Sequence, residues 1–297
     1  MSNFSESFHQ AHRAHINWQE DRPLIDEFNH SDIRVALDLL YDEIDELNGG
    51  DEVGLFSKDN IREDHVLRED YRQQEISDII VFVFTAYDKL GEEVDMASVE
   101  SRVTALAGEY QFNIPEPALG QFPPKALTEP KNDVYKTLRQ KLNDEAEKVK
   151  AFNPETDTQE SLIQSLESIL VYTVAMHSLI GVNSSKAVME KIARNIIKYP
   201  ANRFAMPEGD LTDEELKAHY DAERTACSEE FEGEYDPELG DRPKTGTTEF
   251  YVVPEPIEYE PGEARQIGIW YRAAAQIIAS SYGFSVRVSN LLNRNKV

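Results

Sequence analysis

Apolar residues spaced three and four apart constrain this chain more than any other feature. Over Ser31–Leu47, Ile33, Leu37, Leu40, Ile44 and Leu47 form a stripe of helical period, and Asn48-Gly49-Gly50-Asp51 is expected to stop the helix. Gln74–Leu90 repeats the pattern with Ile76, Ile79, Ile80, Val83, Phe84 and Tyr87, closed by Gly91. Five prolines between Asn113 and Pro130 mark a connector. Helical patterns return at Val134–Phe152, Glu160–Ile180 and Ser185–Lys198. The expected class is all-α, a helical bundle.

The pattern also repeats within the chain. Ile76 to Gly91 resembles Leu166 to Gly181 at an offset of 90, continuing as Met96–Leu106 against Lys186–Ile196. Leu40–Glu46 resembles Leu142–Lys148 at the larger offset of 102. A duplication of this kind predicts two helical units packed face to face in one chain, a covalent pseudo-dimer. The expected organisation is residues 1–112 as one half, 131–205 as a second, degenerate half, and 206–297 as an acidic extension. Within the extension, Thr212 and Glu215 read as a capping box opening a short acidic helix. Glu249–Val253 reads as a strand, and Glu263–Ser281 as a terminal helix burying Ile267, Trp270, Tyr271, Ala274, Ile277 and Ile278.

Composition narrows the function. A formal charge of −26 over 297 residues repels nucleic-acid backbone, although bound cations would still admit a nucleotide. Cys227 is the only cysteine, which excludes internal disulfides and cysteine-rich zinc sites. The longest strongly apolar run, Ile79–Phe84, falls well short of the roughly 18 residues of a membrane span, and Met1–His15 carries no hydrophobic signal region. The expected location is cytosolic, away from membranes. No Gly-x-x-x-x-Gly-Lys-Ser/Thr loop occurs.

Two predicted helices carry acidic pairs three residues apart, Glu43 with Glu46 and Glu75 with Asp78. Residues at that spacing are neighbours on a helix, so each helix offers two carboxylates to one volume. If the helices pack antiparallel, four hard oxygen donors converge, a set suited to Mg²⁺ or Mn²⁺. Each pair abuts the apolar stripe of its own helix, where like charges suffer desolvation unless protonated, paired or metal-bound. The alternative is a solvated acidic face, common in a chain this acidic.

Glu43-x-x-Glu46 followed by Glu75-x-x-Asp78 resembles the E-x-x-E…E-x-x-D signature of the MazG-like all-α NTP pyrophosphohydrolase superfamily, whose relatives include dimeric dUTPases. Phe8-His9-Gln10, Asp21-Arg22-Pro23 and the Arg34, Leu37, Asp42-Glu43 run look like a phage-type MazG-like subfamily. Gly181-Val182-Asn183 and Asn195-x-x-Lys198-Tyr199 are similar to the segment that follows the E-x-x-D helix there. These matches span about residues 8–200. Two departures stand out. Asp42 occupies a position usually held by glutamate. The second half lacks the acid quartet: Lys148 stands at the Glu46 equivalent, and Ser165 and Ser168 stand at those of Glu75 and Asp78.

The resemblance implies Mg²⁺-dependent hydrolysis of a (deoxy)nucleoside triphosphate to NMP and pyrophosphate, with a dNTP such as dGTP or dATP favoured. Glu43, Glu46, Glu75 and Asp78 would hold Mg²⁺ (or Mn²⁺), and Asp42 would be the general base. Asn195, Lys198 and Asn183 would contact the triphosphate, while Phe8 and His9 would line the base pocket; Asn195 and Lys198 read equally as an ordinary helix C-terminus before Pro200, and Phe8 equally as a core residue. One composite site per chain would then draw metal ligands from one half and phosphate contacts from the other. The family's enzymes are oligomers, so a homo-oligomer is an expected partner state, in a bacterial cytosol if the chain is phage-encoded. Alternatives are a dUTP pyrophosphatase or a non-catalytic helical interaction protein. His9, His12 and His15 read as surface histidines, Arg22 as a substrate contact or a surface cation, and Arg265 and Arg272 as cations with solvent or carboxylate partners.

Overall fold

A computed structural model describes residues 3–29, 32–52, 68–115, 127–153, 156–207, 209 and 211–234. All regular structure among them is helical, so the fold class is all-α. The helices are α1 (Asn3–Glu20), α2 (Pro23–Asn29), α3 (Ile33–Glu52), α4 (Arg68–Leu90), α5 (Met96–Tyr110), α6 (Glu129–Ala151), α7 (Gln159–Leu179), α8 (Ser184–Lys198) and α9 (Asp213–Glu234), with a 3₁₀ turn at Ala201–Arg203. The chain divides into two compact units, residues 1–16 with 29–188, and residues 17–28 with 189–297.

In the first unit α3 packs on α4, α6 on α7, α4 on α7, α5 on α7 and α3 on α6. The predicted stripes form its core except at Ile33, which is half-buried: Leu37, Leu40, Ile44 and Leu47 of α3 are buried, as are Ile76, Ile79, Ile80, Val83, Phe84 and Tyr87 of α4. Burying each such side chain contributes about 1.5–3 kcal/mol. Helix α7 is buried on most of its circumference, including Ser165, Ser168, Thr173 and His177. It is the one described helix long and apolar enough to cross a bilayer, contrary to the expectation from apolar runs. With 78% of that window inside the protein, it reads as a core helix.

Helix ends follow local chemistry. Gly91 and Gly181 adopt φ of 68° and 77°, conformations that L side chains rarely take. At each, the glycine N–H donates three residues back and the next residue five back: Gly91 to Asp88 and Glu92 to Tyr87, then Gly181 to Ser178 and Val182 to His177. This is the same double-bonded C-terminal cap twice, 90 residues apart. Asp95 then caps α5, accepting from Ala97 and Ser98 N–H, and Asn183 caps α8, accepting from Lys186 N–H. The second connection is therefore two residues shorter than an offset of 90 predicts. Helix α3 does not stop at Asn48-Gly49-Gly50; it runs to Glu52. Glycine in a helix costs only about 1 kcal/mol, and Asn48 is anchored by an amide pair with Asn143 at 3.0 Å.

The contacts between α3–α4 and α6–α7 are reciprocal. At the offset of 102, Tyr41 corresponds to Asn143 and Asn48 to Lys150. The Lys150 ammonium lies 3.7 Å from the Tyr41 ring centroid, and Asn48 pairs with Asn143, so position 41 meets the counterpart of 48 and the reverse. At the offset of 90, Gln73 corresponds to Ile163 and Tyr87 to His177. Tyr87 O–H donates to the Ile163 carbonyl at 3.4 Å, and His177 Nε2 to the Gln73 carbonyl at 3.1 Å.

The second unit gathers aromatic rings around Arg22. That arginine is neither a surface cation nor exposed to a substrate: it is 1% exposed, and its guanidinium donates to the Tyr199 and Trp18 carbonyls. Phe204 and Tyr220 continue the cluster beside Phe28. The capping box at Thr212 and Glu215 forms in both directions, and its helix extends over 22 residues, longer than expected. The expected strand at 249–253, the terminal helix at 263–281, Arg265 and Arg272 lie outside the described residues.

Candidate functional site

Glu43 projects from α3, and Glu75 with Asp78 from α4, two helices that pack on each other within the first unit. Ile44, Ile76 and Ile79, the sequence neighbours of these acids, are at most 2% exposed, which fixes the rotation of both helices. The three carboxylates are half-buried, and one oxygen from each lies within 4.8 Å of the others. Oxygens around an octahedral Mg²⁺ stand about 2.1 Å from the ion and so about 3–4.2 Å apart. Three carboxylates this close repel one another, and a divalent cation removes that repulsion.

Of the four expected ligands the structure gathers three. Glu46 is exposed one turn further along α3 and stands outside the trio; Asp42 is also exposed. Phe8 is a core residue, 1% exposed, edge-on to Phe84 with centroids 6.4 Å apart, while His9 beside it is half-buried. His12 and His15 are not surface histidines. His15 is fully buried and bonded to Thr85 at 2.9 Å. Burial, with His9 nearby, pushes the His12 pKa down to about 4. The Asn183 side chain is committed to structure: it receives Ser185 O–H and Lys186 N–H and donates to the Pro115 carbonyl at 2.8 Å. Asn195 and Lys198 belong to the second unit and the trio to the first; Lys198 sits 5.5 Å from the Tyr199 ring centroid.

Sequence reading passed over His177. It is wholly buried, its Nε2–H donating to the Gln73 carbonyl and its Nδ1 facing Ser184 Oγ at 3.1 Å. Burial pushes its pKa down to about 4, so the ring is neutral. A lone histidine in an apolar helix gives no signal that separates this role from others.

At the sequence offsets of 102 and 90 the chain carries different chemistry from the trio. Glu145, Lys148, Ser165 and Ser168, the counterparts of Glu43, Glu46, Glu75 and Asp78, together line a cavity of about 440 Å³. Comparison with protein-family models, with curated proteins and with solved structures gives no match.

Proposed function

We propose that this chain is an internally duplicated, MazG-like nucleoside triphosphate pyrophosphohydrolase, dependent on Mg²⁺ and releasing NMP and pyrophosphate from a dNTP. The observation that carries the reading is the carboxylate trio, drawn from the two acidic motifs in the order the resemblance requires. The repeated C-terminal caps and the reciprocal pairs 41 with 48 and 73 with 87 support the duplication, because a two-fold interface brings i to j and j to i.

Glu43, Glu75 and Asp78 are the residues that would hold Mg²⁺, which when bound neutralises phosphate oxygens and acidifies water. Asp42, exposed beside Glu43, takes the proton of the attacking water. The water oxygen bonds to the α-phosphorus, the bond from α-phosphorus to the bridging oxygen breaks, and pyrophosphate leaves with that oxygen. Glu46 stands exposed and outside the trio, so it ranks behind the other three.

Thermal unfolding with and without Mg²⁺ tests the metal site. At ten times the dissociation constant the ion adds about 1.4 kcal/mol to stability. That increment disappears in Glu43→Gln and Glu75→Gln and survives in Glu46→Gln. A wild type insensitive to Mg²⁺ and Mn²⁺ makes the trio a solvated acidic face and favours a non-catalytic bundle.

A further inference from the structure

Where α1 meets the first unit it is held by side-chain rings rather than by close helix packing. The most extensive helix contacts of that unit, among the described residues, join α3, α4, α5, α6 and α7, and none of them involves α1. What α1 offers instead is His9, His12 and His15, each a helical neighbour of the next. The His12 ring lies against the Phe84 ring of α4, centroids 4.7 Å apart and tilted by 32°, and Phe8 packs edge-on to the same ring. One turn on, His15 Nε2 meets Thr85 Oγ1 at 2.9 Å. The threonine proton goes to the Val81 carbonyl, so the histidine N–H is the donor. Helix α5 reaches α1 through Glu100, which accepts from Ser5 O–H at 2.9 Å.

This seam accommodates His12 only as a neutral ring. Its Nε2 is sealed from solvent and has no hydrogen-bond partner among the described residues. A proton there creates a buried cationic donor that faces no acceptor, which costs far more than burying the neutral ring. Besides burial, the titratable and charged groups acting on the ring are His9 and Arg13, both on α1, and both oppose protonation. From α4 it meets the Phe84 ring and the Phe84 carbonyl, and only the carbonyl favours the proton. Glu100 of α5, the acid tied to α1, is engaged with Ser5, seven residues before His12. An undocked α1 carries His12 in water, where it takes up a proton near pH 6.5. The docked helix therefore loses its advantage as pH falls from 6.5 toward 4.

We propose that α1 is an acid-released clasp: protonation of His12 lifts residues 3–16 off α4 while α3, α4, α6 and α7 stay packed, uncovering Phe8, Ala11 and Phe84 as an apolar face. The device does not depend on the hydrolase reading. Its test is amide hydrogen exchange of the full chain at pH 7 and pH 5, read by mass spectrometry, with rates corrected for the intrinsic effect of pH. At both pH values residues 3–16 should exchange faster than α7, because the clasp opens without global unfolding. Between them the protection of residues 3–16 should fall about twentyfold, the factor that one proton on His12 supplies. That fall should vanish in His12→Leu and persist in His177→Gln, since His177 stays buried when only α1 opens. Circular dichroism checks that the variants fold, with His12→Gln as a second non-titrating replacement. If neither His12 variant folds, the wild-type comparison of α1 with α7 and the His177→Gln response decide. Equal protection of α1 and α7, a protection of α1 indifferent to pH, the same fall in a folded His12 variant, or its loss in His177→Gln would each overturn the proposal.

Discussion

His177 ties α7 to α4 through the Gln73 carbonyl and does so only as a neutral ring, which makes stability depend on pH. Its pKa falls from an ordinary 6.5 to about 4 in the folded protein. Between those values the unfolded chain binds the extra proton, so stability rises with pH there. The contribution is fully present above pH 6.5 and is lost as pH falls toward 4. The loss between pH 7.5 and pH 4.5 amounts to about 2.5 kcal/mol for one histidine, at about 1.2 kcal/mol per pH unit near pH 5.5. His12, also pushed down to about 4, titrates over the same range, so His177 must be isolated by difference. In His177→Gln the side-chain amide still reaches the Gln73 carbonyl but does not titrate. Urea unfolding of both proteins, followed by far-UV circular dichroism across this range, gives the comparison. The variant should be less stable near neutrality by about 1–2 kcal/mol, and the gap should close and reverse on acidification. Two stability curves that stay parallel to within about 0.5 kcal/mol would refute the assignment of a buried, neutral His177.

Three further outcomes follow from the same structure. Gly91→Ala should lower stability by about 1 kcal/mol in urea unfolding: nothing crowds a Cβ there, so the cost is the left-handed φ alone. Gly49→Ala should raise stability by about 0.5–1 kcal/mol in the same assay, since that glycine lies inside α3 with open space around it. Arg22→Met should lower stability by about 2–3 kcal/mol, because it leaves the Tyr199 and Trp18 carbonyls without their donor; an effect below about 0.5 kcal/mol would contradict the buried role.

The helical half of this architecture was legible because it depends on period. Leu37, Leu40, Ile44 and Leu47 fall on one face of α3 and are buried, as their spacing requires. Glycine punctuation was only partly legible. Gly91 and Gly181 end their helices through positive φ, whereas Gly49 and Gly50 are carried through by a tertiary anchor at Asn48 that sequence does not display. The acidic motifs predicted a convergence, and three of the four residues converge. Which three depends on the rotation of α3 against α4, set by the packing of Ile44, Ile76 and Ile79. Arg22, His15 and His177 escaped the reading, since a charged or polar residue enters a core only when remote partners are supplied, and those are set by the fold. The reciprocal contacts 41 with 48 and 73 with 87 needed both the register of the repeat and the packing to be seen.

The most direct measurement of the central claim is ³¹P NMR of the products formed by the full chain with Mg²⁺ on each common dNTP, NTP and dUTP, alongside Glu43→Gln and Glu75→Gln. The account predicts NMP and pyrophosphate from the wild type, with preference for a dNTP, and neither product from the two variants. Orthophosphate with NDP, turnover that survives loss of Glu43, or no cleavage of any nucleotide would contradict it.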